Sequence, residues 1–180
     1  MEDPKLVRTS KYLSFILRHA PETIGLKLDN DGWAEVEELI QCAAEAGMRL
    51  DAGIIGEVVR TSDKKRFTLS HDGLRIRAAQ GHSAASVNIR YAEAVPPDVL
   101  YHGTATRHIE SIRIHGLVSG ARHYVHLSSD EATASRVGAR HGKPIVLTVH
   151  TGSMYRAGFT FFQAENGVWL TSRVPAEYLG

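Results

Sequence analysis

Apolar positions recur with a helical period from Lys5 to His19, where Leu6, Ser10, Leu13 and Leu17 form a stripe that Phe15 and Ile16 widen. That spacing predicts an amphipathic helix. Ala20-Pro21 ends it, because the residue before a proline avoids helical dihedrals. Arg18 and His19 therefore fall in the last turn, where the helix macrodipole stabilises cations. After a turn at Asp31-Gly32, Val36, Leu39, Ile40 and Ala43 predict a second helix over Glu35–Ala46, with Gly47 as its stop signal. Asp51 can cap a third helix carrying Ile54, Ile55, Val58 and Val59. The period then changes to two. Phe67 and Leu69 alternate with Arg66 and Thr68; beyond a turn at His71-Asp72-Gly73, Leu74, Ile76 and Ala78 alternate with Arg75 and Arg77. Helices followed by a basic hairpin are the pattern of a winged helix-turn-helix, whose usual task is gripping nucleic acid.

Val95-Pro96-Pro97-Asp98 breaks the pattern, and seven of the ten histidines lie beyond it. Short strands are predicted at Val99–His102, Tyr124–Leu127, Ile145–His150, Phe159–Gln163 and Gly167–Leu170. Helices are predicted over Arg107–His115, closed by Gly116, and over Asp130–Arg140. The fold class expected is α+β, with one lobe over residues 1–95 and a second, mainly antiparallel lobe over 96–180.

Charge narrows the function classes. The 180 residues hold 21 Lys or Arg against 20 Asp or Glu, far too balanced for a protein that coats itself in nucleic acid. Positive charge is instead local: Arg60, Lys64, Lys65, Arg66, Arg75 and Arg77 stand against Asp63 and Asp72. That concentration suits a focused anion site. Cys42 is the one cysteine, so neither an intrachain disulfide nor a cysteine zinc site is expected, and its neighbours make it a small buried helix residue. No apolar run approaches the ~20 residues that cross a bilayer, and no signal-peptide pattern opens the chain. A cytoplasmic protein without membrane attachment is expected. No surplus apolar stripe is left over after the two lobes, so a monomer is expected.

Arg18-His19, Arg66 and Arg122 are cations far apart in sequence and each near an element edge, an arrangement suited to holding one multiply charged oxyanion from several sides. The run Ile76-Arg77-Ala78-Ala79-Gln80-Gly81-His82-Ser83 places mixed donors just past a basic strand, as a ribose-phosphate backbone would require. His102-Gly103-Thr104 and His126-Leu127-Ser128 are each expected at a strand end, with Gly103 admitting a ligand to the backbone and Val168-Trp169-Leu170 closing a third strand. No metal is expected, since His123 and His126 point to opposite faces of an extended strand. The paired His-x-Thr/Ser triplets also fit a phosphoesterase of the 2H class, although 24 positions is a short separation for two pseudo-symmetric halves. A third reading is a non-catalytic RNA binder.

Taken in order, these motifs resemble the RNA 2′-phosphotransferases, NAD-dependent enzymes that remove a splice-junction 2′-phosphate from tRNA. The likeness runs from Leu13-Ser14-Phe15-Ile16-Leu17-Arg18-His19 through Asp31-Gly32-Trp33, Lys65-Arg66-Phe67 and Ile76–Ser83. It continues in Leu100–Thr104, Arg122–Ser128, Val137–Gly142 and Asn166–Thr171. The resemblance implies a winged-helix-like RNA lobe followed by an ADP-ribosyltransferase-like lobe. It implies a catalytic set of Arg18, His19, Arg66 and Arg122, and an NAD-side signature of His102, His126 and Val168. With these go Gly103, Thr104, Ser128, Arg140 and His141 on the NAD side, and Arg77, Gln80 and His82 on the RNA side. NAD enters as a co-substrate and 2′-phosphorylated RNA as the partner. Tyr124 stands where many members carry histidine and is given no role. The glutamate that many protein ADP-ribosyltransferases place at the third strand is missing, so ordinary protein side chains are not expected as acceptors.

Overall fold

A computed structural model describes residues 3–62, 65–84 and 86–180. Asp63 and Lys64 of the basic segment lie outside the described residues. The chain divides into two compact units, Met1–Arg90 and Tyr91–Gly180.

In the first unit, α1 (Pro4–Arg18) begins where the Asp3 side chain accepts from the Lys5 N–H at 2.8 Å. Pro4 stands at the start, where a missing N–H is harmless. Ala20-Pro21 stops the helix as expected, and a 3-10 turn over Pro21–Ile24 follows. β1 (Ala34–Glu35) leads into α2 (Val36–Glu45), and α3 (Ala52–Thr61) is capped by Asp51, whose carboxylate accepts from the Ile54 N–H. β2 (Phe67–Leu69) and β3 (Arg75–Ala78) form the hairpin. The sheet order is β1-β3-β2, antiparallel throughout, with Ala34 opposite Ile76 and Thr68 opposite Arg77. Leu13, Leu17, Leu39, Ile55 and Ile76 fill the core under it. Two features depart from expectation. β1 is too short to show an alternating pattern in the sequence. Leu74, expected inward, is 63% exposed, because its N–H is held by the Asp72 carboxylate in the turn and the strand begins one residue later.

The second unit is built on antiparallel pairs. β4 (Leu100–Ala105) is followed by α4 (Ile109–His115), β5 (Leu117–Val118), β6 (Val125–Leu127) and α5 (Glu131–Gly138). Then come β7 (Pro144–Val149), α6 (Thr151–Arg156), β8 (Phe162–Gln163), β9 (Trp169–Thr171) and β10 (Arg173–Val174). β4 pairs with β7, β6-β9-β8 form a second sheet, and β10 pairs with β5. Tyr101 and Ser128 exchange backbone hydrogen bonds at 2.9 and 2.8 Å, which stitches β4 to the end of β6. Leu100, Leu127, Leu147, Val149, Phe161 and Trp169 form the core.

The two units meet in sequence at Arg90 and Tyr91, and the Ala94 N–H bonds the Phe161 carbonyl within the second unit. Two expectations are corrected here. His102-Gly103-Thr104 does not follow its strand; it lies inside β4, paired with Leu147, Val146 and Ile145. The helix expected over Asp130–Arg140 ends at Gly138 and tightens into a 3-10 turn over Ala139–His141. α6 was not expected at all: a six-residue helix is too short to show a period.

Candidate active site

The expected residues fall into two groups, one in each unit. In the first unit the end of α1 meets the segment after β3. The Arg18 carbonyl accepts from the Ser83 N–H at 2.9 Å and the Ala84 N–H at 3.3 Å. Gly81, at φ +87°, lies under the Arg18 side chain; a β-carbon there would stand 3.7 Å from Cδ. His19 Nδ1 and Ser83 Oγ share a hydrogen bond of 2.9 Å across 64 positions of sequence. Arg66, just ahead of β2, accepts from the Ala79 N–H through its carbonyl at 2.9 Å. The run Ile76–Ser83 therefore threads between Arg66 and the Arg18-His19 pair. Three of the four expected catalytic residues are anchored to one strand and its exit loop.

Arg77 is held on its other side. Its guanidinium lies 4.5 Å from the centre of the Trp33 ring, with Arg75 at 5.4 Å, and its Nη1 donates to the Asp31 carbonyl at 3.4 Å. His82, expected on the RNA side, is only 4% exposed. Gly32 makes room for it, since a β-carbon at position 32 would stand 3.0 Å from His82 Nε2. His82 is thus packed into the loop, while Arg77 and Gln80 beside it are half-buried.

In the second unit His102 on β4 donates from Nδ1 to the carbonyl of His126 on β6 at 3.0 Å. A carbonyl only accepts, so Nδ1 carries the proton. Burial holds the His102 pKa below the ordinary 6.5, the bond to His126 opposes that shift, and Arg122 and His141 add to it. Burial also lowers the Arg122 pKa, followed by the neighbouring Arg140 cation, although the residue as a whole is exposed. His102, Arg122, Arg140 and His141 thus form one electrostatically linked group, in which His102 is kept neutral beside cations. His126 pairs with Leu170 and Leu127 with Trp169, so the next positions of that register are Ser128 and Val168.

Gly103 has a reason other than the one expected. A β-carbon there would stand 1.6 Å from the Ala134 carbonyl oxygen of α5, and one on Gly138 would stand 2.6 Å from the Thr104 carbonyl oxygen. Both glycines let α5 lie directly on β4, and Thr104 is buried in consequence. Tyr124 is packed edge-on between Tyr91 and Phe162, ring centres 6.0 and 5.5 Å away. His123 sits in the bend before β6. The two His-x-Thr/Ser triplets lie on adjoining strands, with one ring bonded to the other's backbone. Among the described residues, no three His, Cys, Asp or Glu side chains are grouped as a metal ion would need. None of the described helices is long and apolar enough to cross a membrane.

Asp31 and Trp33 are contributors to which the sequence assigned no role, and Ser83 was read only as one of the mixed donors past the basic strand. Ser83 ends the run Ile76–Ser83, and Trp33 belongs to Asp31-Gly32-Trp33; both were visible as motifs, but nothing in the sequence paired them with His19 and Arg77.

Comparison with known proteins bears on the same residues. The family described as RNA 2′-phosphotransferase, Tpt1 / KptA family matches residues 4–173. An RNA 2′-phosphotransferase of Escherichia coli (strain K12) is 57% identical over 177 residues, covering 98% of this chain and 96% of the relative. A probable RNA 2′-phosphotransferase of Shigella boydii serotype 18 is 58% identical with the same coverage.

Proposed function

Because the chain belongs to the RNA 2′-phosphotransferase family, we propose that it is an enzyme transferring an internal RNA 2′-phosphate to NAD in two steps. In the first, an oxygen of the 2′-phosphate bonds C1″ of the nicotinamide ribose, the C1″–N bond breaks, and nicotinamide leaves with the electron pair. The phosphate is already anionic, so this step needs positioning and no base. In the second, the 2″-hydroxyl of the ADP-ribose attacks phosphorus, the bond from phosphorus to the RNA 2′-oxygen breaks, and that oxygen takes up a proton. RNA with a 2′-hydroxyl and ADP-ribose 1″,2″-cyclic phosphate result.

The observation that carries this reading is the linked group of Arg122, Arg140, His141 and neutral His102. A dinucleotide brings a pyrophosphate, and such an anion would offset the repulsion that Arg140 exerts on Arg122 and that Arg122 and His141 exert on a charged His102. We assign His102, Thr104, His126, Ser128, Arg140, His141 and Val168 to the NAD side, with Gly103 securing the strand beneath. Arg18, Arg66 and Arg122 are assigned to the 2′-phosphate and to the charge that builds on its oxygens in the second step, where fixed guanidinium groups supply electrostatic stabilisation. His19 is assigned to the second step, and Arg77 and Gln80 to the RNA strand.

The test is to incubate a 2′-phosphorylated oligonucleotide with and without NAD and follow nicotinamide and the cyclic ADP-ribose product. NAD-dependent loss of the 2′-phosphate is expected. Turnover without NAD would favour a phosphoesterase, and binding without turnover an RNA-binding protein.

A further inference from the structure

We infer that Ser83 is a positioning residue for His19, fixing the imidazole for resolution of the RNA-phospho-ADP-ribose adduct; this rests on the function proposed above. His19 is exposed and forms the C-terminal cap of α1, where its backbone N–H bonds the Phe15 carbonyl. Its ring is tied to the loop after β3 by the bond of 2.9 Å between its Nδ1 and Ser83 Oγ. A catalytic imidazole needs a defined orientation, which a partner at one ring nitrogen supplies; a hydroxyl can donate or accept, so Ser83 serves either tautomer.

Ser83 is itself fixed from two directions. Gly81 at φ +87° turns the chain onto the Arg18 side chain, a backbone conformation that residues with a β-carbon rarely adopt. The Ser83 N–H then closes on the Arg18 carbonyl at 2.9 Å. Residue 83 therefore grips the backbone of one expected catalytic residue and the side chain of the next. Its hydroxyl is the part that acts on chemistry, and its N–H is the part that holds the fold.

That division makes the idea testable. Ser83→Ala keeps the backbone bond to Arg18 and removes only the hydroxyl. Under single turnover with a 2′-phosphorylated oligonucleotide and NAD, adduct formation should keep its rate. Adduct decay should slow roughly 10-fold, less than the ~100- to 10,000-fold that a positioned acid or base contributes, because the imidazole itself remains. The pH profile of decay should move, because the ring loses a hydrogen-bond partner, while the melting temperature stays put. Ser83→Thr retains a hydroxyl and should restore decay. Unchanged decay in Ser83→Ala would overturn the inference. So would equal slowing of both steps with a lowered melting temperature and no rescue by threonine. If the unmodified protein released no nicotinamide from NAD in the presence of the oligonucleotide, the functional reading would fail first and carry this inference with it.

Discussion

Gly103 of β4 lies so close to Ala134 of α5 that a β-carbon on residue 103 would stand 1.6 Å from the Ala134 carbonyl oxygen. The obstacle is backbone, which has no rotamer to escape into. Gly103→Ala must push α5 off the strand, and the neighbour on that strand is His102. Overpacking costs about 1–3 kcal/mol where side chains can yield, so a loss at or above that upper end is expected here. Gly56→Ala is the contrast: in the middle of α3 a β-carbon there meets nothing within 4 Å. It should stabilise by roughly 0.5–1 kcal/mol, by restricting the unfolded chain in a helix interior. Urea denaturation of both variants checks the pair.

Burial, Arg122 and His141 together hold the His102 pKa below its ordinary 6.5. A folded pKa below the unfolded one means that the unfolded chain binds the proton more readily. The stability owed to the neutral ring is then fully present above about pH 6.5 and is lost as pH falls through the folded value. His102→Asn retains a donor for the His126 carbonyl and has nothing to titrate. Between pH 7.5 and 5.5, the unmodified protein should therefore lose more stability than the Asn variant. Equal losses would show that the ring titrates alike in both states. His141→Ala should raise the His102 pKa only in part, because burial is the larger cause.

What was legible in the sequence follows from the length of each pattern. α1, α2 and α3 show two or more turns of apolar period, and their caps at Asp51 and Gly47 lie where turn chemistry puts them. β1 and α6 were missed because 2 and 6 residues are too few to repeat anything. His102-Gly103-Thr104 was placed at a strand end, with Gly103 open to a ligand; the strand instead runs on through all three, and Ala134 fills the space that a side chain on residue 103 would need. The candidate site was read as separate motifs, and their local anchoring was not. The bond from His19 to Ser83 spans 64 positions, and no periodicity reports a contact of that kind.

Trp33 is half-buried, with Arg77 4.5 Å over its ring and Arg75 5.4 Å. Cation–π contacts contribute ~0.5–2 kcal/mol, so the indole pre-orders the guanidinium that the functional reading gives to RNA. Trp33→Ala should raise the Michaelis constant for the oligonucleotide several-fold and leave that for NAD alone. Trp33→Phe should recover much of the loss. Steady-state kinetics with each substrate varied in turn separates the two constants, and a rise in the NAD constant instead would reassign the tryptophan.

Arg122 carries two effects that one pair of substitutions separates. Its cation depresses the His102 pKa, and it is assigned to the transferred phosphate. Arg122→Ala removes a fixed electrostatic donor, which typically costs ~100- to 1,000-fold in rate. The loss should fall on release of the 2′-phosphate. The same substitution should raise the His102 pKa, read from the imidazole resonance by NMR. Arg122→Lys separates the effects: a point charge keeps much of the influence on His102 but lacks the planar fork that grips two phosphate oxygens at once. The lysine variant should therefore titrate near the unmodified protein while remaining well below it in turnover. If lysine restored turnover fully, charge alone would suffice at position 122, and the proposed two-point hold on the phosphate would be wrong.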